Sequence, residues 1–148
     1  MQIQHRLSRA YLAAFIGFGV CGALGGCQTV DNRPATWSYL HTAVIAPSCA
    51  TAGCHSALTA AAGVNLADRQ GAYTILTGRI CDGPRLPQEP PGNYVVPGSA
   101  EFSTLMYQLQ GQSADGRPFR DVMPPDVQLP DVEIDLVARW IDAGALCD

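Results

Sequence analysis

The chain has 148 residues, with nine basic residues, all of them arginine, thirteen acids and a formal net charge of −4. That length suits one domain, and an acidic chain with no lysine and no basic cluster sets aside nucleic acid and anionic membrane surfaces as direct partners. The charge is unevenly spread: Arg6 and Arg9 lie in the first ten residues, and the first acid is Asp31.

That asymmetry reads as a targeting segment. Met1 to Arg9 forms a positive n-region, and Ala10 to Leu24 is almost wholly apolar, with Leu12, Phe15, Ile16, Phe18 and Val20. The run is short for a spanning helix and is followed by small residues, as in a secretory signal. It ends Leu24-Gly25-Gly26-Cys27, which resembles the lipobox of bacterial lipoproteins. The resemblance implies cleavage before Cys27 and acylation of that cysteine; an uncleaved anchor or an ordinary signal is the alternative. Residues 1–26 are then a signal peptide, 27–35 a tether and 36–148 the domain. Removing 26 of the 148 residues leaves 122, with seven arginines against thirteen acids, a net charge of −6. Gln28, not aspartate, follows the cysteine, which by resemblance to enterobacterial sorting points to a lipid anchor on the periplasmic face of the outer membrane.

From Thr36 the pattern turns helical. Trp37, Leu40 and Val44 fall at i, i+3 and i+7, Thr36 suits an N-cap, and Pro47 is expected to stop the helix. His41 on this helix reads as a surface or half-buried residue, since no second ligand lies at helical spacing. Asp68 suits the cap of a short helix carrying Tyr73, Ile75 and Leu76 and ended by Gly78. Tyr73 reads as core, with a bond to a cofactor carboxylate as the sharper option. Residues 80–97 are loop, with five prolines; Arg79 and Arg85 at this loop are further candidates for pairing with such carboxylates. Ser99 or Ser103 caps a third helix with Phe102, Leu105, Met106 and Leu109 on its apolar side, ended by Gly111. The last helix runs from about Asp131 to Ala143. Its first-turn acids Asp131, Glu133 and Asp135 suit the positive end, Ile134, Val137, Ala138 and Ile141 form a buried stripe flanked by Leu136 and Trp140, and Gly144 stops it. The fold class expected is all-α, three to four helices joined by long Pro/Gly-rich loops, with a prosthetic group supplying apolar core.

The chemistry centres on Cys49-Ala-Thr-Ala-Gly-Cys54-His55. Two thiols can add to the two vinyl groups of a haem while the next imidazole ligates the iron. The usual spacing has two residues between the cysteines; here there are four, and Gly53 is expected to help the chain loop out. Met123 is the best distal ligand. It sits in a loop, its thioether favours reduced iron, and Pro124 and Pro125 restrict the backbone beside it. Met106 is the rival, with helical spacing that suits core. Cys21 leaves with the signal and Cys27 is taken by lipid, so Cys81 and Cys147 remain as an even pair that an oxidising compartment would join.

A helix ending at the cysteine motif, Cys–Cys–His, a later Met-Pro and a final amphipathic helix resemble, in that order, the monohaem class I cytochromes c. The similarity extends to Val96-Pro97-Gly98, Ser103 to Leu105, Met123-Pro124-Pro125 and Trp140-Ile141 to Gly144-Ala145. It implies a cytochrome c-like fold with one haem c, thioether-bound through Cys49 and Cys54, with His55 as proximal and Met123 as distal iron ligand. It implies an electron carrier, not an enzyme, working with redox partner proteins. The competing readings are a haem-free, disulfide-stapled structural or partner-binding lipoprotein with a Cys49–Cys54 bridge, and a five-coordinate haem peroxidase. A zinc site from Cys49, Cys54 and His55 is disfavoured, because adjacent Cys54 and His55 point apart.

Overall fold

The structure is a computed structural model that describes residues 31–81, 83 and 94–148. The signal segment, Cys27 and Arg85 lie outside the described residues. Every regular element among the described residues is helical, and an isolated bridge pairs Gln112 with Pro118. The described part of the chain is therefore helix-rich and without strands, as an all-α fold requires.

Helix α1 has three parts: an α-helical turn over Trp37–Leu40, a π-helix over His41–Ile45 and a closing turn over Ala46–Ser48. Trp37, Leu40 and Val44 share the buried face, as their spacing demands. The helix ends just before Cys49, as expected, although Pro47 does not itself break it. The proline lies inside the last turn, after Ala46 N–H has reached back five residues to the His41 carbonyl. The widened π turn takes in a ring that brings no N–H and crowds the carbonyl before it. The helix ends at Ser48, where Cys49 turns off with φ −113°.

Helix α2 spans Arg69–Thr77. The Asp68 carboxylate caps it, accepting from Gly71 N–H at 2.7 Å, a bond of a kind that contributes about 1 kcal/mol. Gly78 closes it with φ 64°, a conformation that favours glycine. Helix α3 spans Thr104–Gln110. Ser103 stands at its N-cap position, but its hydroxyl is used elsewhere: it donates to the Ser99 carbonyl and accepts from Val96 N–H. Phe102, expected on the apolar side of this helix, precedes it and is 62 % exposed. Helix α4 spans Asp131–Asp142 and buries Ile134, Leu136, Val137, Trp140 and Ile141.

The core sits where α1 and α4 cross. Trp37 stacks on Trp140 with ring centroids 5.1 Å apart, and Tyr73 of α2 meets both rings edge-on at 5.6 and 6.4 Å. Such pairs contribute about 0.5–1.5 kcal/mol beyond the area they bury. Their polar atoms are satisfied by main chain: Trp37 Nε1 donates to the Arg69 carbonyl, Trp140 Nε1 to Leu146 and the Tyr73 hydroxyl to Ala145. The Tyr73 hydroxyl is thus committed within the protein and not offered to a cofactor. Three distant segments thus assemble an aromatic core from the chain's own side chains.

Two further links hold the ends. Cys81 and Cys147, separated by 66 in sequence, are joined by a disulfide with Cα atoms 5.4 Å apart, a closure that stabilises by about 4 kcal/mol in the chain-entropy model. At the other end, residues expected to be free tether are ion-paired to α4. Arg33 bonds Asp31 and Glu133, and Arg139 reaches Asp31 at 2.9 Å. The side-chain hydrogen bond from Arg33, followed by its backbone N–H, lowers the Asp31 carboxyl from 3.8 to about 2.

The sign follows from that depression. A carboxylate with a lowered folded pKa contributes stability above its unfolded value and loses it as pH falls through the folded one. Stability measured by denaturant titration is expected to fall between about pH 4 and pH 2, and Asp31→Asn is expected to flatten part of that slope. An Asn variant with an unchanged acid slope would show that the cluster contributes nothing to it.

Candidate functional site

Beside the aromatic core lies a cleft built by segments far apart in sequence. The end of α1 brings Ser48 and Cys49, the following turn brings Cys54 and His55, and the extended stretch after it brings Ala62, Val64 and Leu66. Leu76 and Tyr94 close one side. Leu105, Gln108 and Leu109 come from one face of α3, at i, i+3 and i+4, and Met123, Pro124 and Pro125 complete the lining. The cleft encloses about 110 Å³ and opens to solvent, and its lining is mainly apolar.

The four residues between the cysteines form a closed excursion. His55 N–H donates to the Cys49 carbonyl at 3.1 Å, and Cys54 N–H to Thr51 at 3.0 Å. Thr51, Ala52 and Gly53 are left exposed. Gly53 is not the residue that makes this turn possible, since it is absent from the positive-φ glycines and a side chain there would meet open space. The unusual dihedrals fall later, at Ala60 (φ 40°), Ala62 (φ 55°) and Gly63 (φ 77°). A non-glycine residue in the left-handed region costs about 1–2 kcal/mol and persists only where its surroundings over-determine it. Here they do: Ala61 N–H donates to Cys54 at 3.0 Å, and Leu66 N–H to His55 at 2.8 Å.

This strained stretch delivers the Val64 carbonyl to His55 Nδ1 at 3.1 Å. A carbonyl oxygen can only accept, so Nδ1 carries the proton and Nε2 keeps its lone pair. The imidazole is thereby held in the tautomer a metal ligand needs, with its ring oriented by main chain. His41 supports the same stretch from behind. It is not a surface residue as expected, but only 7 % exposed, with Nε2 donating to the Leu66 carbonyl at 3.0 Å and its ring 5.6 Å from Trp37.

Met123 N–H donates to the Gln108 carbonyl at 2.9 Å, which fastens the methionine loop to α3. The Met123–Pro124 peptide is cis. Met106 is packed in the core at 2 % exposure and does not line the cleft. Arg79 bonds the Gly144 carbonyl and does not line it either. Cys49 and Cys54 are free thiols. Burial pushes the Cys49 thiol up to about 11, with the neighbouring Cys54 adding to the effect. Among the described residues no three His, Cys, Asp or Glu side chains converge as a metal cage.

The structure therefore brings Cys49, Cys54, His55 and Met123 to one cleft, and joins Cys81 to Cys147 at a separate place. Sequence reasoning missed Val64, Leu66, Tyr94 and Gln108. The i, i+3, i+4 set on α3 was a usable signal for Gln108; nothing local marked Val64 as the partner of His55. Comparison of the chain with protein-family models, curated proteins and solved structures finds no match.

Replacing His41 removes a buried bond and leaves the Leu66 carbonyl without its partner. His41→Ala is expected to lower unfolding stability by about 2–3 kcal/mol in urea titration. An unchanged midpoint would mean that the segment carrying Val64 and Leu66 is held without it.

Proposed function

We propose that residues 36–148 form an electron-transfer domain of the cytochrome c-like kind, carrying one haem c on Cys49 and Cys54 with His55 and Met123 as axial ligands. The observation that carries this reading is the meeting of those four residues, up to 74 positions apart by their numbers, in a single mainly apolar cleft. The donor set fits the group: two thiols for the vinyl carbons, an imidazole with a free Nε2 and a thioether. The mainly apolar lining of the cleft suits the faces of a flat macrocycle.

When bound, the haem supplies a one-electron iron couple. The chain's own residues do the rest. The Val64 carbonyl orients His55 and increases the basicity of its ring. Met123, a soft ligand, favours the reduced metal. Leu105, Leu109 and Val64 exclude water, which disfavours the additional charge of the oxidised state. Two axial ligands leave no open position for substrate, so the reading is a carrier and not an enzyme. Acylation of Cys27 would hold the protein on the periplasmic face of the outer membrane. The acidic balance of the chain favours redox partners with a basic docking face.

A second reading rests on a different observation, the self-sufficiency of the aromatic core. A haem-free lipoprotein with a structural or partner-binding role needs only that core and the Cys81–Cys147 bridge. The two readings separate in a visible spectrum. The haem reading expects sharp bands in the reduced protein that survive acid-organic extraction, and a Met123→Ala variant that keeps its pigment but loses the sulfur-to-iron charge-transfer band. Colourless protein, or pigment lost on extraction, contradicts covalent haem; an unchanged band in the variant contradicts Met123 as ligand.

A further inference from the structure

The segment from Gly144 to Asp148 is held at several points. Ala145 is fully buried and lies in the left-handed region at φ 48°, directly after Gly144 at φ 101°. A non-glycine residue in that region persists only where neighbouring contacts impose it, and such positions gather at switches. The contacts are present on every side. The Tyr73 hydroxyl donates to the Ala145 carbonyl at 2.9 Å, Trp140 Nε1 to Leu146 at 2.9 Å and Arg79 to Gly144 at 3.4 Å. Cys147 is bonded to Cys81.

The final residue then reaches the start of the first helix. Asp148 accepts from Ser38 N–H at 2.9 Å and from the Ser38 hydroxyl at 2.7 Å. Helix α1 lacks what helices usually carry there: Thr36 at the N-cap makes no side-chain capping bond, and no acid lies in the first turn. Asp148 supplies both, one acceptor for a free N–H and one negative charge at the positive end of the helix. The capping residue is 110 positions away in sequence and immediately follows the half-buried cysteine of the disulfide.

We propose that the Cys81–Cys147 disulfide is a redox-operated latch on α1. Closed, it holds the strained tail down and Asp148 over the helix N-terminus, and so keeps the crossing of α1 and α4 shut. A small dithiol opens it. One thiolate of the dithiol attacks a protein sulfur and displaces the other, and the second thiol then closes on the mixed disulfide. Two electrons pass to the protein, leaving Cys81 and Cys147 as thiols, and the dithiol leaves as a cyclic disulfide. The tail then relaxes from its left-handed turn, Asp148 leaves Ser38, and α1, which runs directly into Cys49, loses its cap. The latch uses no residue of the cleft, so it stands or falls separately from the haem reading.

The test is amide hydrogen exchange on the full chain before and after treatment with dithiothreitol under native conditions. Alkylation and mass measurement confirm that Cys81 and Cys147 have become thiols. Exchange at Ser38 and Tyr39 is expected to accelerate about tenfold or more on reduction, since local opening sets this rate. Asp148→Ala in the oxidised protein is expected to reproduce the acceleration at Ser38 with the disulfide intact. Reduction that speeds exchange only at residues 146–148 and leaves α1 unchanged would overturn the proposal. So would an Asp148→Ala protein whose Ser38 amide exchanges at the parental rate.

Discussion

The stack of Trp37 on Trp140, with ring centroids 5.1 Å apart, is the contact on which the rest of the structure depends. It fixes the crossing of the first and last helices. Each indole then recruits main chain from a third element, Trp37 from the start of α2 and Trp140 from the C-terminal tail. Tyr73 closes the group by meeting both rings and bonding the Ala145 carbonyl. With α1 set in this way, the chain leaving its far end at Cys49 emerges beside the core instead of over it. The cleft is the space between that exit and the face of α3 that carries Leu105, Gln108 and Leu109.

Within the cleft, backbone hydrogen bonds do most of the positioning. Cys49 and His55 are drawn together by His55 N–H on the Cys49 carbonyl, and His55 is oriented by Val64. Val64 is in turn placed by a turn with two alanines in the left-handed region, Ala60 and Ala62. His41 holds the same stretch at Leu66. A four-residue spacing between the cysteines is compatible with one closed motif because the extra residues are expelled to solvent as a loop. The strain is carried downstream of the motif, where hydrogen bonds to Cys54 and His55 offset it.

Much of this was legible in the sequence, and the limits have physical causes. Helical faces were readable because 3.6-residue periodicity is a local signal: Ile134, Val137 and Ile141 on α4 are buried as their spacing demands. The Asp68 cap and Gly78 stop were also local. Pro47 marked the end of α1 correctly, but the π turn that lets the helix take in the proline carried no local signal. Gly53 misled because a permissive residue need not be used, and the left-handed positions went to alanines instead. His41 was read as surface or half-buried, Tyr73 as core and Arg79 as open to a cofactor, and each bonds a carbonyl more than 20 residues away. No local pattern encodes such partners. The site residues were legible because thiol, imidazole and thioether chemistry is restrictive, whereas the apolar walls that surround them carry no such signature.

The account turns on what the two thiols of the Cys49–His55 motif become in the mature protein. Mass spectrometry of the purified chain, intact and then cut to isolate the fragment that contains Cys49, Cys54 and His55, answers this directly. The account predicts that this fragment carries the added mass of one haem, with both cysteine sulfurs alkylated by the vinyl carbons and inert to iodoacetamide. A fragment at its bare mass, or lighter by two hydrogens from a Cys49–Cys54 disulfide, would contradict it.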